Sequence, residues 1–222
     1  MFLILLGPPG SGKGTQAKIL EGILKLKHLS TGDLLRSAVK EKTELGGKAY
    51  AYMQKGELVP DELMVDLIEE QIGRKGAAQG FLLDGFPRTV VQAQKLEQML
   101  QRRKQKVDLA IKFDLPEQVL LKRLSGRLVC PSCNANYNIY FSPPVKDTLC
   151  DNCGGRLVKR EDDQEEVIKN RIAVYREQTE PVEEHYRSQK KLVAVDASVP
   201  AQELSGKIEK IFRTRFSQRK LN

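Results

Sequence analysis

The residues nearest the start of the chain, Gly7-Pro8-Pro9-Gly10-Ser11-Gly12-Lys13-Gly14-Thr15, are the first that could do chemistry. Glycines at 10, 12 and 14 let the backbone bend into an arc with its N–H groups pointing inward. Such an arc at the start of a helix seats phosphate oxygens. Lys13 adds a cation that can reach terminal phosphates. The run fits G-x-x-x-x-G-K from Gly7 to Lys13, but Gly14 follows the lysine and the hydroxyl comes one residue later, at Thr15. Thr15 is therefore expected at phosphate or metal-bound water, not in the usual Ser/Thr role. A second candidate is Asp84, which ends the apolar run Phe81-Leu82-Leu83. An acid at the carboxyl end of a buried strand beside a phosphate loop can hold a water of bound Mg²⁺, or it can cap the helix expected near Thr89. Third come two C-x-x-C pairs, Cys130/Cys133 and Cys150/Cys153, separated by sixteen residues. That spacing fits a closed tetrahedral Zn²⁺ site with no position left for catalysis; buried free thiols or a redox pair are the alternatives.

These residues need elements to hold them. Phe2–Leu6 is a short continuous apolar run, as in a strand buried on both faces of a parallel sheet. A helix follows from Gln16. His28–Ser30 reads as a second strand, and Ser30-x-x-Asp33 as a capping box for a helix carrying Arg36. Leu45–Lys55 is a further helix closed by Gly56, and Pro60-Asp61-Glu62 opens another. Phe81–Asp84 is a strand, Gln92–Leu100 an amphipathic helix, and Leu109, Ile111 and Phe113 mark a fourth strand. Pro116 begins a helix that carries Lys122 and Arg123 and ends at Gly126-Arg127. Helical periodicity returns from about Asp163, with Ile168, Ile172 and Tyr175 on one side. Leu192–Val195 is the last strand and Ala201–Phe216 a closing helix. The polar tail Ser217–Asn222 is expected to fray. Strands alternating with helices call for a parallel sheet covered on both faces.

A chain of 222 residues allows one α/β domain with insertions. With 30% charged residues and no apolar run of membrane-spanning length, it reads as a soluble protein. Phe2–Leu6 runs straight into the glycine loop and is too short for a signal-peptide core, so the cysteines are expected reduced in a cytoplasm. The net charge of +8 suits an anionic partner without saying which. The cysteine-bearing insertion, about 38 residues, is near the ~40-residue size below which a unit rarely folds on its own core, which gives a metal a physical purpose.

The phosphate loop, Ser30-Thr31-Gly32-Asp33, Gly80–Thr89, Asp162-Asp163 before Asn170-Arg171, and the cysteine pairs together resemble adenylate kinase of the long bacterial type with a zinc-binding lid, essentially end to end. The resemblance implies a P-loop nucleoside monophosphate kinase fold with a five-stranded parallel sheet. It implies a core of 1–29, 60–125 and 164–222, a helical AMP-binding insertion at 30–59 and a zinc-binding lid at 126–163. It implies the reaction Mg·ATP + AMP ⇌ 2 ADP in a cytoplasmic monomer that engages neither nucleic acid nor membrane. Position by position, Gly10, Ser11, Gly12, Lys13, Gly14 and Thr15 would hold ATP phosphates, helped by Arg123 and Arg127. Asn136 and Tyr137 would lie near adenine or ribose, and Val199 would offer backbone to the ATP adenine. Thr31, Arg36, the backbone of Glu57, Leu58 and Val59, Gly85, Phe86, Pro87, Arg88 and Gln92 would form the AMP side. Arg160 and Arg171 would clamp the transferring phosphoryl group, with Lys13, Arg88 and Arg123 as further cations and Asp84 ordering water around Mg²⁺. Asp162 and Asp163 would orient lid arginines, against the plainer reading of exposed carboxylates beside basic residues. Leu128 stands where many relatives have a second arginine, and Asn136 replaces a more usual threonine. The nearest rival is another nucleoside monophosphate kinase, taking UMP, CMP or GMP, or using GTP. A nucleic-acid-binding zinc ribbon lacks the aromatic-rich basic stripe it would need.

Overall fold

The structure is a computed structural model that describes residues 1–74 and 80–216. The expected fraying at Ser217–Asn222 falls outside the described residues.

Five parallel strands form the central sheet in the order β2 (Lys27–Ser30), β3 (Phe81–Asp84), β1 (Phe2–Leu6), β4 (Val107–Asp114), β7 (Leu192–Asp196). The expected five-stranded parallel sheet is therefore present. Every residue of β1 is buried, and pleat alternation sends Phe2, Ile4 and Leu6 to one face and Leu3 and Leu5 to the other. On the first face pack α4 (Asp61–Arg74), α5 (Val90–Arg102) and α8 (Glu180–Ser188), through Ile68, Leu96 and Tyr186. On the second pack α1 (Lys13–Leu24) and α9 (Ala201–Phe216), through Ala17, Leu20, Leu204 and Ile208. Burying both faces of one sheet gives two hydrophobic cores, and β1 is shared between them.

Strand β1 lies between β3 and β4, so the chain order reverses there and a crevice opens at the strands' carboxyl ends. Two insertions roof it. The first contains α2 (Thr31–Lys40) and α3 (Glu44–Lys55). Their starts are fixed by hydroxyls: Ser30 Oγ accepts from the Asp33 amide at 3.3 Å and Thr43 Oγ1 from the Gly46 amide at 3.1 Å. The second follows α6 (Glu117–Ser125). It contains β5 (Arg127–Val129) paired antiparallel with β6 (Asn136–Asn138), Leu128 opposite Tyr137, and little other regular structure. After it, α7 (Glu165–Val174) packs on α6 through Leu124, Ile168 and Ile172.

The helical stretch expected from Asp163 is present but changes its winding on the way. A wide π-type turn at Tyr175–Thr179 separates α7 from α8. Pro181 accounts for the wider turn, because it has no N–H for the ladder and sits in the first turn of α8, where none is needed.

Candidate nucleotide site

Built from the loop upward, the site begins where β1 ends. Gly10 and Gly12 take left-handed backbone conformations, φ +82° and +92°. A Cβ on Gly10 would come within 2.8 Å of Leu124 Cγ, so the arc admits no side chain there. Gly12 caps α1 without a side-chain hydrogen bond, which leaves the first amides of that helix for an anion. Lys13 Nζ folds back over the arc and donates to Gly7 O at 2.7 Å, Pro8 O at 2.8 Å and Ser11 Oγ at 3.2 Å. Burial pulls its pKa down to about 8, against the pull of Asp84 and with help from Arg88 and Arg171.

Asp84 stands at the end of β3, beside the loop. A Cβ on Gly14 would lie 3.3 Å from Asp84 Oδ2, so the missing side chain at 14 keeps the space before this carboxylate clear. Thr89, not Asp84, caps α5: its Oγ1 accepts from the Gln92 amide at 3.1 Å. The carboxylate is thereby left for the cleft, backed by His28 Nε2 at 3.5 Å from β2.

The loop opens into a cleft of about 510 Å³. Gly10 to Thr15, Arg123, Arg127 and Val199 line one part of it, together with Asn136 and Tyr137. Arg36, Leu58, Asp84, Gly85, Pro87, Arg88, Arg160 and Arg171 line the rest. A smaller recess of about 70 Å³ continues it, lined by Thr31, Glu57, Val59 and Gln92. The exception is Phe86, whose ring is buried in the core, so that only its backbone can face a ligand.

The recess is tightly organised. Thr31 Oγ1 donates to Gly85 O at 2.8 Å, and Arg88 Nε to the same carbonyl at 2.9 Å. Gln92 Oε1 accepts from the Arg88 amide at 2.7 Å and Nε2 donates to Asp61 Oδ1 at 2.8 Å. One donor and one acceptor site of that amide remain, enough to read the edge of a base. Arg36 is tied to Asp33 at 2.5 Å.

Arginines close the far wall. Arg123 donates to Ser11 O at 3.3 Å and Ala197 O at 2.9 Å, with its guanidinium 5.6 Å from the centre of the Phe141 ring. Asp163, with only 1% of its side chain exposed, bonds Arg127 Nε at 2.7 Å and Arg171 Nη1 at 3.2 Å; Asp162 bonds Arg171 Nη1 at 2.8 Å. These are buried orienting groups, so the exposed-carboxylate reading fails. Burial opposes the charge on Asp162, but Arg171, Arg127 and Arg36 hold its carboxyl below the ordinary range. Burial pushes the pKa of Arg160 down to about 9, aided by Arg127 and Arg36, and that of Arg88 to about 10, aided by Arg171. Crowded, desolvated guanidinium groups make a cleft that a polyanion would relieve. Asp163→Ala would take from Arg127 its carboxylate partner and leave Arg171 with Asp162 alone. It is expected to lower unfolding stability by about 3–5 kcal/mol in denaturant titration; a change under about 1 kcal/mol would refute the orienting role.

Sequence reasoning missed several contributors. Lys18 of α1 donates to Asn134 O at 2.9 Å, and Gln54 of α3 to Glu161 Oε2 at 2.9 Å, so the second insertion rests on both the core and the first insertion. Thr179, Tyr175 and Phe141 also line the cleft. The aromatic character of Tyr140-Phe141 before Pro143 was visible, but not which ring would meet Arg123.

The four cysteines converge away from the cleft. Their sulphurs lie within 4.8 Å of one another and none is in a disulfide. Cys130–Cys153 and Cys133–Cys150 are 3.5 and 3.4 Å apart, close to the ~3.8 Å edge of a tetrahedron with ~2.3 Å metal–sulphur bonds. Asn134 and Gly154, each following the second cysteine of its pair, are both left-handed, so the two knuckles turn alike. The donor set fits a tetrahedral thiophilic cation.

Residues 5–191 match the sequence profile of the adenylate kinase family. The chain is similar to an adenylate kinase of Methanocella arvoryzae, 47% identical over 213 residues, covering 96% of this chain and 99% of that protein. It is also similar to one of Clostridium novyi, 50% identical over 198 residues (89% and 92%), and one of Caldicellulosiruptor bescii, 47% over 193 residues (87% and 90%).

Proposed function

Because the chain belongs to the adenylate kinase family, we propose that its cleft seats ATP on the glycine loop and AMP in the recess, with the two phosphate chains meeting end to end between them. The enzyme transfers the terminal phosphoryl group of Mg·ATP to AMP, reversibly, giving two ADP. One observation carries the assignment of residues. Lys13, Arg88, Arg123, Arg160 and Arg171, from five separate segments, all open on one cleft.

Phosphoryl transfer asks the protein for in-line positioning and for charge neutralisation, with little covalent chemistry. Lys13 and the loop amides hold the donor phosphates, and Arg123 and Arg127 hold them from above. Arg88 grips the acceptor phosphate, while Gln92, fixed by Asp61, reads the base. Arg160 and Arg171 bracket the group in flight, Arg171 aimed by Asp162 and Asp163. Mg²⁺ arrives with ATP, and Asp84 orders its waters. No side chain needs to act as base, since the acceptor phosphate is already an anion. Residues 30–59 act as the acceptor-binding insertion and 126–163 as the lid on a core of 1–29, 60–125 and 164–222. Lid closure keeps water from the reacting phosphoryl group. The cysteine site holds structural Zn²⁺ through Cys130, Cys133, Cys150 and Cys153, which stiffens a lid too small to fold on its own core. The protein acts as a cytoplasmic monomer, a state that sedimentation velocity would check.

The test is ADP formation from ATP with AMP, beside UMP, CMP and GMP, and with GTP as donor. AMP with ATP is expected to dominate; equal turnover with another monophosphate would overturn the recess assignment.

A proton should also follow the nucleotide. Free Lys13 titrates near 8, and bound phosphates stabilise its charged form. Binding of ATP saturated with Mg²⁺ is therefore expected to take up close to one proton near pH 9 and far less near pH 7. Calorimetry in buffers of different ionisation heat reads this directly, and a pH-independent proton count would count against Lys13 as the phosphate ligand.

A further inference from the structure

Strand β6 has three residues, and they divide its work between two sides. Tyr137 sits in the middle. Its hydroxyl oxygen accepts from the Asp151 amide at 2.9 Å and lies 3.5 Å from Cys150 Sγ. An amide can only donate, so the phenolic proton is left for the sulphur. A metal-bound thiolate has no proton of its own, so in the loaded protein Tyr137 is the donor and Cys150 the acceptor. Tyr137 also packs with Leu128 and Ala135 against the buried group of Cys130, Cys150 and Leu157. Its flanking residues point the other way, as strand alternation requires. Asn136 Oδ1 accepts from Arg160 Nη2 at 3.0 Å, and Asn138 Nδ2 donates to the carbonyl of Arg123 at 2.8 Å. The hydroxyl of Tyr137 is therefore engaged at the cysteines, while the residue also lines the cleft.

We propose that Tyr137 is a positioning residue that couples occupancy of the four-cysteine metal centre to the placement of Arg123 and Arg160 over the donor phosphates. This rests on the reading of the cysteines as a metal centre. With metal bound, the thiolate of Cys150 fixes the phenol, the phenol fixes β6, and β6 presents Asn136 and Asn138 to the two arginine segments. Such coupling is reciprocal, so the donor nucleotide must tighten the hold on metal by the factor that metal tightens the hold on nucleotide.

The test measures metal affinity in the full-length protein by competition with a chromogenic chelator for Zn²⁺, and by the thiolate charge-transfer band on substitution with Co²⁺, each with and without ATP. In the parent protein, ATP is expected to strengthen metal retention at least about fivefold. Tyr137→Phe keeps the ring and removes the donated hydrogen bond. It is expected to weaken metal affinity about tenfold, to shift the Co²⁺ band, and to shrink the ATP effect below about twofold. Asn138→Ala, which removes the bond to the Arg123 carbonyl, is expected to keep the parent's metal affinity in the absence of nucleotide and, at saturating ATP, still lose most of the ATP effect, which a purely structural role for Tyr137 does not foresee. A parent protein that binds neither metal overturns this inference and the metal reading together. Metal binding by the parent, with Tyr137→Phe equal to it in affinity and in ATP effect, overturns the inference alone. An unchanged ATP effect in Asn138→Ala overturns transmission through β6.

Discussion

Lys13→Met should lose roughly three or more orders of magnitude in turnover while keeping a melting temperature equal to or above that of the parent. Both halves come from the same geometry. The ammonium group is the cation nearest the phosphate arc, and it is buried among the loop carbonyls of Gly7 and Pro8. With no polyphosphate present, burial disfavours its charge and brings its pKa from 10.5 to about 8. That displacement is on the order of 3 kcal/mol against the charged form. Since the folded pKa is below the unfolded one, the unfolded chain binds more protons between about pH 8 and 10.5. The penalty is complete below that window and is relieved as pH rises through it. Methionine has a similar reach and no charge, so at neutral pH it removes the penalty along with the catalytic cation. Steady-state assay of ADP formation and a thermal melt at pH 7 decide the matter. Turnover near the parent's would refute the role of Lys13, and a melting temperature several degrees lower would refute the claim that its charge is a burden on the free fold.

The same contrast between local and distant causes explains what could be read before the structure. Phe2–Leu6, Phe81–Asp84 and the start of the last helix at Ala201 were legible to the residue, because a strand buried on two faces and a long amphipathic helix write their burial into local composition. The glycine arc was legible because backbone torsion there leaves glycine little competition. The wide turn at Tyr175–Thr179 was hidden inside an unbroken helical periodicity, and only Pro181 betrayed it. The three-residue strands β5 and β6 are too short to show alternation, so the two-sided placement of Tyr137 could not be foreseen. Asp162 and Asp163 look exposed in a run of charged residues. Asp162 meets Arg171 from the next helix, and the burial of Asp163 follows from Arg127, 36 residues away in the chain, which no local window contains. Pairings between segments are set by the fold, and the finer parts of the site are made of such pairings.

Cys150→Ser is expected to separate the lid from the rest of the protein. A seryl oxygen is a poor replacement for a thiolate, so the tetrahedral set is broken and metal content should fall from about one ion per chain toward zero by elemental analysis. What remains inside the lid is small. Cys130, Cys150 and Leu157 are its buried group, with Leu128, Ala135 and Tyr137 against them, and such a cluster does not hold a segment of this length folded without help. The metal contributes on the order of 10 kcal/mol to units of this kind, enough to decide whether the segment is ordered. The two cores on either side of the sheet share none of these residues, so they should persist. Calorimetry is therefore expected to show an early transition for the lid below a main one for the core. Arg160 belongs to the loosened segment and Arg171 loses its partners Asp162 and Asp163, so turnover should fall by about two orders of magnitude or more, by analogy with the loss of a phosphoryl-clamping arginine. AMP binding should survive, because Thr31, Arg88 and Gln92 are held by Gly85 and Asp61 rather than by the lid. A lid that no longer shuts also admits water, so the fraction of ATP hydrolysed without making ADP from AMP should rise. A metal-free Cys150→Ser protein with the parent's turnover and a single unshifted transition would show that the lid is held by its own contacts, and the structural role assigned to the metal would fall.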